Sequence, residues 1–455
     1  VAGLEIYKNR FFENVDIAPL ALFRVAFGFL LAAEGFGAIL TGWVARAYII
    51  PKHTFVFIPF DFLSPLPGNG MYYYFFIMGL FGLMIMLGWK YRLAAIAYFL
   101  LWSGAYLMQK TNYNNHYYLM VLLTFIQIFL PANRSFSLDA KYNPKIQSNV
   151  CIRGIIWVFI LQSAIFYIYA SVAKWNTDWV GYNSVEQLFL SKYDYPILGP
   201  LLSQHWFQII ISWGGIVFDF LVVPALLWRK TRKYAVFVAF FFHLFNSVVF
   251  QIGVFPYMAL ALLLFFYNGR ELRTFLNRRR NIYPKFEQSN NLHISTSNQR
   301  LILMSFTLWF AIQLILPIRH HFIEGDVNWT EEGHRMSWRM MLRTKQGRMH
   351  INVIDNESGQ RKVVQPLDYL TPKQYVRVAT HPDMMWQFVQ IIKKEYSGQD
   401  ISIFIRGWVT LNGGKAYPLF KSDYDMAHVD WDHFRHAEWI WPYPGANIED
   451  MRSAK

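Results

Sequence analysis

Ile155 to Ala173 reads IIWVFILQSAIFYIYASVA and runs without a break into Lys174-Trp175-Asn176-Thr177-Asp178-Trp179. An uninterrupted apolar stretch of that length, wound as a helix, covers the roughly 30 Å of a bilayer's hydrocarbon. The polar run that follows marks where the span ends. Lys174 therefore stands at the boundary of a membrane helix. Lysine in that position ordinarily carries its ammonium to the interface on an aliphatic stem. A primary amine held half out of water is also placed to act as a base.

The composition agrees with that reading. Over 455 residues the chain is 54% hydrophobic and only 16% charged, with a mean hydropathy of +0.20, which is too apolar for a soluble protein of this size. The formal net charge of +14 lies in short loops between apolar segments, so anionic lipid rather than nucleic acid is the expected neighbour. The one cysteine, Cys151, allows no internal disulfide and argues against a cysteine metal site.

Working outward from residue 155, about nine segments have the length and apolarity of spans: approximately 19–40, 71–88, 92–108, 117–131, 153–173, 208–228, 234–250, 252–267 and 301–318. Around Gln251-Ile252-Gly253 two spans would be joined by almost no loop, and one broken helix is the alternative. The loops sort by charge. One alternate set carries Lys8, Arg10, Lys90, Arg92, Arg134, Lys141, Lys145, Arg153, Arg229, Lys230, Arg232, Lys233, Arg270, Arg273 and Arg278-Arg279-Arg280, and the other only Arg46, Lys52, Lys110, Lys174 and Lys192. Basic loops stay cytoplasmic, so the N-terminus is expected inside and the C-terminal part outside. No basic-then-apolar segment with a cleavage site precedes the first span, which is expected to serve as its own insertion signal.

The pattern changes after Pro317, giving an expected division into a helical membrane domain, 1–318, and a mainly β extramembrane domain, 319–455. Met349 to Ile354 and Lys362 to Gln365 flank Asn356-Glu357-Ser358-Gly359 as a hairpin, and Ile401 to Leu411 before Asn412-Gly413-Gly414 predicts a second. Met384 to Tyr396 has helical periodicity. Asn281 to Arg300 reads as a polar loop ahead of the last span.

Polar groups at membrane depth need protein or water partners: Arg24, Glu34, Asp219, His243 and Asn246. Each alone is explained by an interhelical hydrogen bond. His243 and Asn246, three apart, share a helix face and could enter one cavity. Lys110-Thr111-Asn112-Tyr113-Asn114-Asn115-His116 opens the fourth span, where asparagine caps a helix start, so capping explains it as well as chemistry does. No HExxH, Walker or Gly-rich nucleotide fingerprint is present. The residues describe a polar pocket in a helical bundle, suited to acid-base chemistry on a membrane-soluble substrate or to plain binding.

Three runs carry a resemblance: Lys110 to Leu119, Val172 to Val180, and Phe242-His243-Leu244-Phe245-Asn246-Ser247 with Gly253-Val254-Phe255-Pro256-Tyr257. With Leu22 to Leu30, Val327-Asn328-Trp329-Thr330 and Met336-Ser337-Trp338-Arg339-Met340-Met341, the chain resembles, nearly throughout and in order, the vitamin K-dependent gamma-glutamyl carboxylase family. The resemblance implies an integral membrane enzyme that couples oxidation of reduced vitamin K, a naphthoquinol, by O2 to addition of CO2 to protein glutamate, leaving the epoxide. It puts the family's base on Lys174 and its Asn-Asn-His motif on Asn114, Asn115 and His116. Lys174, His116 and Asn115 are then expected to be catalytic, with His116 and Asn115 stabilising the oxyanion. Asn114, His243, Asn246, Trp175 and Tyr257 are expected to hold the quinol, and Asn328, Trp329 and Trp338 the glutamate. No metal is implied.

The implied partners are membrane lipid, a glutamate-containing peptide or protein, and a quinone or epoxide reductase, with no nucleic acid. Ala173 replaces a second lysine found in vertebrate members, and their disulfide between the two parts cannot form here. A cysteine-poor outer domain suggests a bacterial member in an inner membrane. Two alternatives stand beside the carboxylase: a quinol epoxidase without peptide carboxylation, and a non-catalytic membrane protein whose pocket holds lipid or a partner helix.

Overall fold

The computed structural model describes residues 2–277 and 294–444. Every one of the apolar segments forms a helix: Ala18–Leu40, Gly70–Leu87, Tyr91–Met108, Asn115–Phe129, Arg153–Ala173, His205–Leu227, Arg232–Phe250, Phe255–Leu262 and Thr296–Ile315. Among the described residues, six helices are long and apolar enough to cross a membrane, the last of them counted from Thr296 to Phe322. Two more, Asn115–Phe129 and Phe255–Phe266, are apolar but shorter. The 15 residues of Asn115–Phe129 rise about 22 Å, short of the roughly 30 Å of hydrocarbon. The join at 251–253 is a tight reversal between two helices, made by positive φ at Gln251 (52°) and Gly253 (59°). The run Arg278-Arg279-Arg280 and most of the expected polar loop at 281–300 lie outside the described residues.

Small residues set the closest packing. The first helix meets Gly70–Leu87 so tightly that a Cβ on Gly28 would lie 2.4 Å from the Met86 amide nitrogen, and one on Gly82 would lie 2.5 Å from that of Ala32. Between membrane helices, where burial from lipid gains little, such backbone approach is the main source of attraction. Arg24, fully buried, donates to the carbonyls of Ile85 and Phe136, so it closes interhelical hydrogen bonds. At the end far from the C-terminal domain, Asn14–Asp16 pairs antiparallel with Val150–Ile152, and Arg273 grips Asp16 through two bonds of 2.7 and 2.8 Å.

The C-terminal part holds a four-stranded antiparallel sheet in the order Arg361–Val364, Lys345–Asp355, Ile401–Leu411, Ala416–Pro418, so both expected hairpins form. Ile401–Leu411 buries alternate residues, Ile401, Ile403, Ile405, Val409 and Leu411 among them, as one covered sheet face requires. The cover is Pro372–Thr380 and Pro382–Glu395, which bury Val378, Met385, Phe388, Val389 and Ile392 against it. Thr371 and Gln374 form a reciprocal capping box at the first of these helices.

The two parts are docked through the loops poor in basic residues. Lys52 Nζ donates to the Asp368 carbonyl (2.6 Å), Gln374 Nε2 to that of His53 (2.7 Å) and Gln387 Nε2 to that of Val56 (3.1 Å). Trp338 goes further. It is fully buried in the apolar core of the helical bundle, its ring 5.0 Å from Tyr118 and 5.9 Å from Phe166.

Candidate active site: two cavities that share a wall

Lys174 does not reach for the interface. Its side chain is folded back under the end of Arg153–Ala173 and is 6% exposed. The cause is local: Asn176 accepts the Trp179 amide (3.0 Å) and starts a new turn, which lays the Trp179 indole across the amine at 5.3 Å. Trp179 Nε1 is in turn fixed on the Ser212 carbonyl (2.9 Å). Gly215 leaves space for the stem, since a Cβ there would sit 3.7 Å from Lys174 Cε. One turn further along the same face, Asp219 meets the amine, with Nζ 2.6 Å from Oδ2; Nζ also donates to the Ala170 carbonyl at 3.2 Å. Asp219 is 4% exposed.

Beside this pair is an apolar cavity of about 80 Å³ walled by His116, His243, Asn246, Phe255 and Met341 among others. Tyr167 and His243 are hydrogen-bonded, OH to Nε2, at 2.7 Å. His116 lies against the Phe255 ring at 4.8 Å. The Nδ1 atoms of both histidines are buried without a hydrogen-bond partner, an arrangement that proteins avoid unless a ligand or water completes it. Two imidazole nitrogens and an amine around apolar walls suit a flat hydrocarbon headgroup bearing hydroxyls.

A second cavity, about 200 Å³, opens on the other side of His116, Met340 and Met341, which line both. Its walls hold Lys110, Arg335, Arg339, Arg343 and Arg377, with His334, His381 and Glu331, and on the membrane side Asn114 and Asn115. Burial and the neighbouring guanidinium groups hold both histidines well below the ordinary imidazole range. Burial pulls Lys110 down to about 8 even though Asp383 faces it. For Glu331, burial opposes ionisation, but Arg343 and Lys345 outweigh it and keep the carboxyl well below its usual range. Arg343 grips Glu331 from Nε at 2.8 Å and again from Nη2. Arg339, lowered by burial to about 10, keeps one bond to Asn328 Oδ1 (3.0 Å) and a buried Nε without a partner. Cations outnumber carboxylates there, so the cavity suits an anion.

The expected site residues divide accordingly. Lys174, His116, His243 and Asn246 share the apolar cavity. Asn115 lies on the wall of the cationic one, accepting the Tyr113 hydroxyl (3.0 Å) and donating to the Arg339 carbonyl (3.3 Å). Asn114 caps the helix that follows, accepting the Tyr117 amide at 2.7 Å, so for this residue the capping reading holds. Trp175 and Tyr257 are absent from the cavity walls: Trp175 is 62% exposed against Trp213, and Tyr257 is exposed beside Ser247. In the chain's tight turn at 174–176, Trp179 rather than Trp175 is the indole turned inward. Trp329 is fully buried, its Nε1 donating to the Trp441 carbonyl at 2.8 Å, and Trp338 is buried in the bundle core; neither lines either of the two cavities. Asn328 reaches the cationic cavity only through Arg339.

Asp219, Tyr167 and the basic lining were missed as site residues. Arg335, Arg339 and Arg343 recur every four residues, which was the available signal. The segment is irregular, with positive φ at Met336 (62°), Trp338 (58°) and Met341 (55°), conformations that L-residues adopt only under constraint.

The fold defines a polytopic helical membrane protein with an extramembrane C-terminal domain, and at the junction a cationic cavity adjoins an apolar one that holds a buried lysine. Residues 12–270 match the HTTM domain, and residues 298–446 match the vitamin K-dependent gamma-carboxylase lumenal domain. The chain belongs to the vitamin K-dependent gamma-carboxylase family. No solved structure matches it.

Proposed function

We propose that this chain couples oxidation of a reduced naphthoquinol by O2 to carboxylation of glutamyl side chains in a peptide or protein. The observation that carries the reading is the common wall: His116, Met340 and Met341 stand between the apolar cavity holding Lys174 and the cationic cavity. The γ-hydrogen of glutamate is too weakly acidic for a protein side chain to remove, so the bound quinol, on reaction with O2, supplies the strong base. The protein supports that chemistry by position and dryness. Lys174 Nζ receives a proton from the quinol hydroxyl. His116 and His243 hold the headgroup by their free Nδ1 atoms, and Asn246 completes the wall.

In the neighbouring cavity Arg339, Arg377 and Lys110 take the substrate carboxylate, and Asn115 fixes the Arg339 backbone beside it. The apolar walls exclude water that would quench a strong base. The distribution of basic loops supports a cytoplasmic N-terminus and an extracytoplasmic C-terminal domain. A separate reductase is required to return the oxidised quinone.

The test is purified protein with reduced vitamin K, O2, a glutamate peptide and labelled bicarbonate. Lys174-dependent epoxide with label in the peptide is the expected result. Epoxide without label would leave an epoxidase, and no epoxide from folded protein would leave a binding role.

A further inference from the structure

A base that begins as an ion pair presents a difficulty. Lys174 Nζ lies 2.6 Å from Asp219 Oδ2, both groups buried; paired as ammonium and carboxylate, the amine has no lone pair to offer. Before Nζ can accept a proton it must give one away. The walls offer few recipients: the ionisable groups facing the pair are Tyr167, His116 and His243, and only Asp219 touches the amine.

We propose, building on the reading above, that Asp219 is the proton store for Lys174 and thereby makes it a base. The balance is complete within the pair. The Lys174 N–H bond directed at Asp219 breaks as an Oδ2–H bond forms, leaving a neutral amine beside a neutral carboxylic acid. Nζ then takes the proton of a hydroxyl in the adjoining cavity. The hydroxyl O–H bond breaks, an N–H bond forms, and Lys174 is again an ammonium, now counterbalancing the oxygen that lost its proton. The buried charge sums to zero before and after, so no step requires a net charge in a low-dielectric site, where an uncompensated ion is strongly disfavoured.

The surroundings favour this use. Ser212, Gly215 and Asp219 lie along one face of His205–Leu227, and each serves the amine: Ser212 anchors Trp179, Gly215 makes room for the stem, and Asp219 receives the proton. An amide at this position could accept a hydrogen bond from the amine but could not take its proton. Asp219 is thus a positioning and proton-holding residue that acts through Lys174.

The experiment is anaerobic, so that proton movement is read apart from turnover. Reduced vitamin K is added to wild type, Asp219→Asn, Asp219→Glu and Lys174→Ala in detergent, and infrared difference spectra are recorded together with the quinol's own ionisation absorbance across pH. A protonated-carboxyl band is expected in wild type, absent from Asp219→Asn and displaced in Asp219→Glu. Ionisation of the quinol in Asp219→Asn should need more alkaline solution, and oxidation at neutral pH under O2 should fall by about 100-fold. The Glu variant should recover most of it, which keeps the test decisive if the Asn variant fails to assemble. Wild type without the carboxyl band, or an Asn variant that ionises quinol at the wild-type pH, overturns the inference while leaving Lys174 as the base. A Lys174→Ala protein that ionises quinol normally overturns both readings.

Discussion

Lys110, in the loop just ahead of Asn115, and Asp383, in the second helix over the C-terminal sheet, form a buried ion pair with Nζ 2.5 Å from Oδ2. Arg335 holds the same carboxylate with two bonds of 2.7 and 3.1 Å. One carboxylate thus joins the Asn-Asn-His loop, the arginine segment and the outer helix.

Replacing Asp383 with Ala strands two cations in a buried site. The expected cost is about 3–5 kcal/mol. Thermal unfolding in detergent should show a lowered transition, and limited proteolysis should cut between the two parts.

Acid should act through the same groups. Burial favours the neutral acid, but Arg335 and Lys110 outweigh it and hold the Asp383 carboxyl below the ordinary carboxylate range, and Arg343 and Lys345 do the same for Glu331. Both folded values lie below the unfolded ones, so this stability is full above about pH 4.5 and is lost as pH falls further. Interdomain proteolysis at stepped acid pH would show it, and the acid sensitivity should shrink in Asp383→Ala.

Arg339→Gln removes a guanidinium from the cationic cavity without touching the apolar one. The KM for a glutamate peptide should rise by about tenfold, equivalent to roughly 1.4 kcal/mol. Quinol oxidation measured without peptide should stay within about twofold. A matched loss in both assays would place Arg339 in folding instead.

Trp338→Ala opens a hole in the bundle core between Tyr118 and Phe166. Loss of about 3–5 kcal/mol is expected. Trp338→Phe, which keeps most of the apolar volume, should retain most of the stability in the same thermal assay.

Much of this was legible in the chain because membrane helices and hairpins are written in local pattern. The apolar length of Ile155 to Ala173, the alternation in Ile401 to Leu411 and the Asn-Gly-Gly turn after it each depend on neighbours in sequence. The site depends on reunions that periodicity does not encode. Lys174 and Asp219 are 45 residues apart, and Asn115 reaches the Arg339 carbonyl across 224. Trp175 and Trp179 look equivalent in the sequence. Only the Asn176 turn decides which of them covers the amine. Trp338 sits in a motif with reactive-looking neighbours, yet its environment is that of a core residue.

That tryptophan also fixes an order of events during synthesis. The helices it packs among emerge from the ribosome long before residue 338 does, so the nascent bundle waits in the bilayer with an unfilled gap in its centre. Only when the segment carrying Trp338 is in place does the membrane half reach its final packing. One side chain thus makes the closed packing of the membrane half conditional on the C-terminal part being in place.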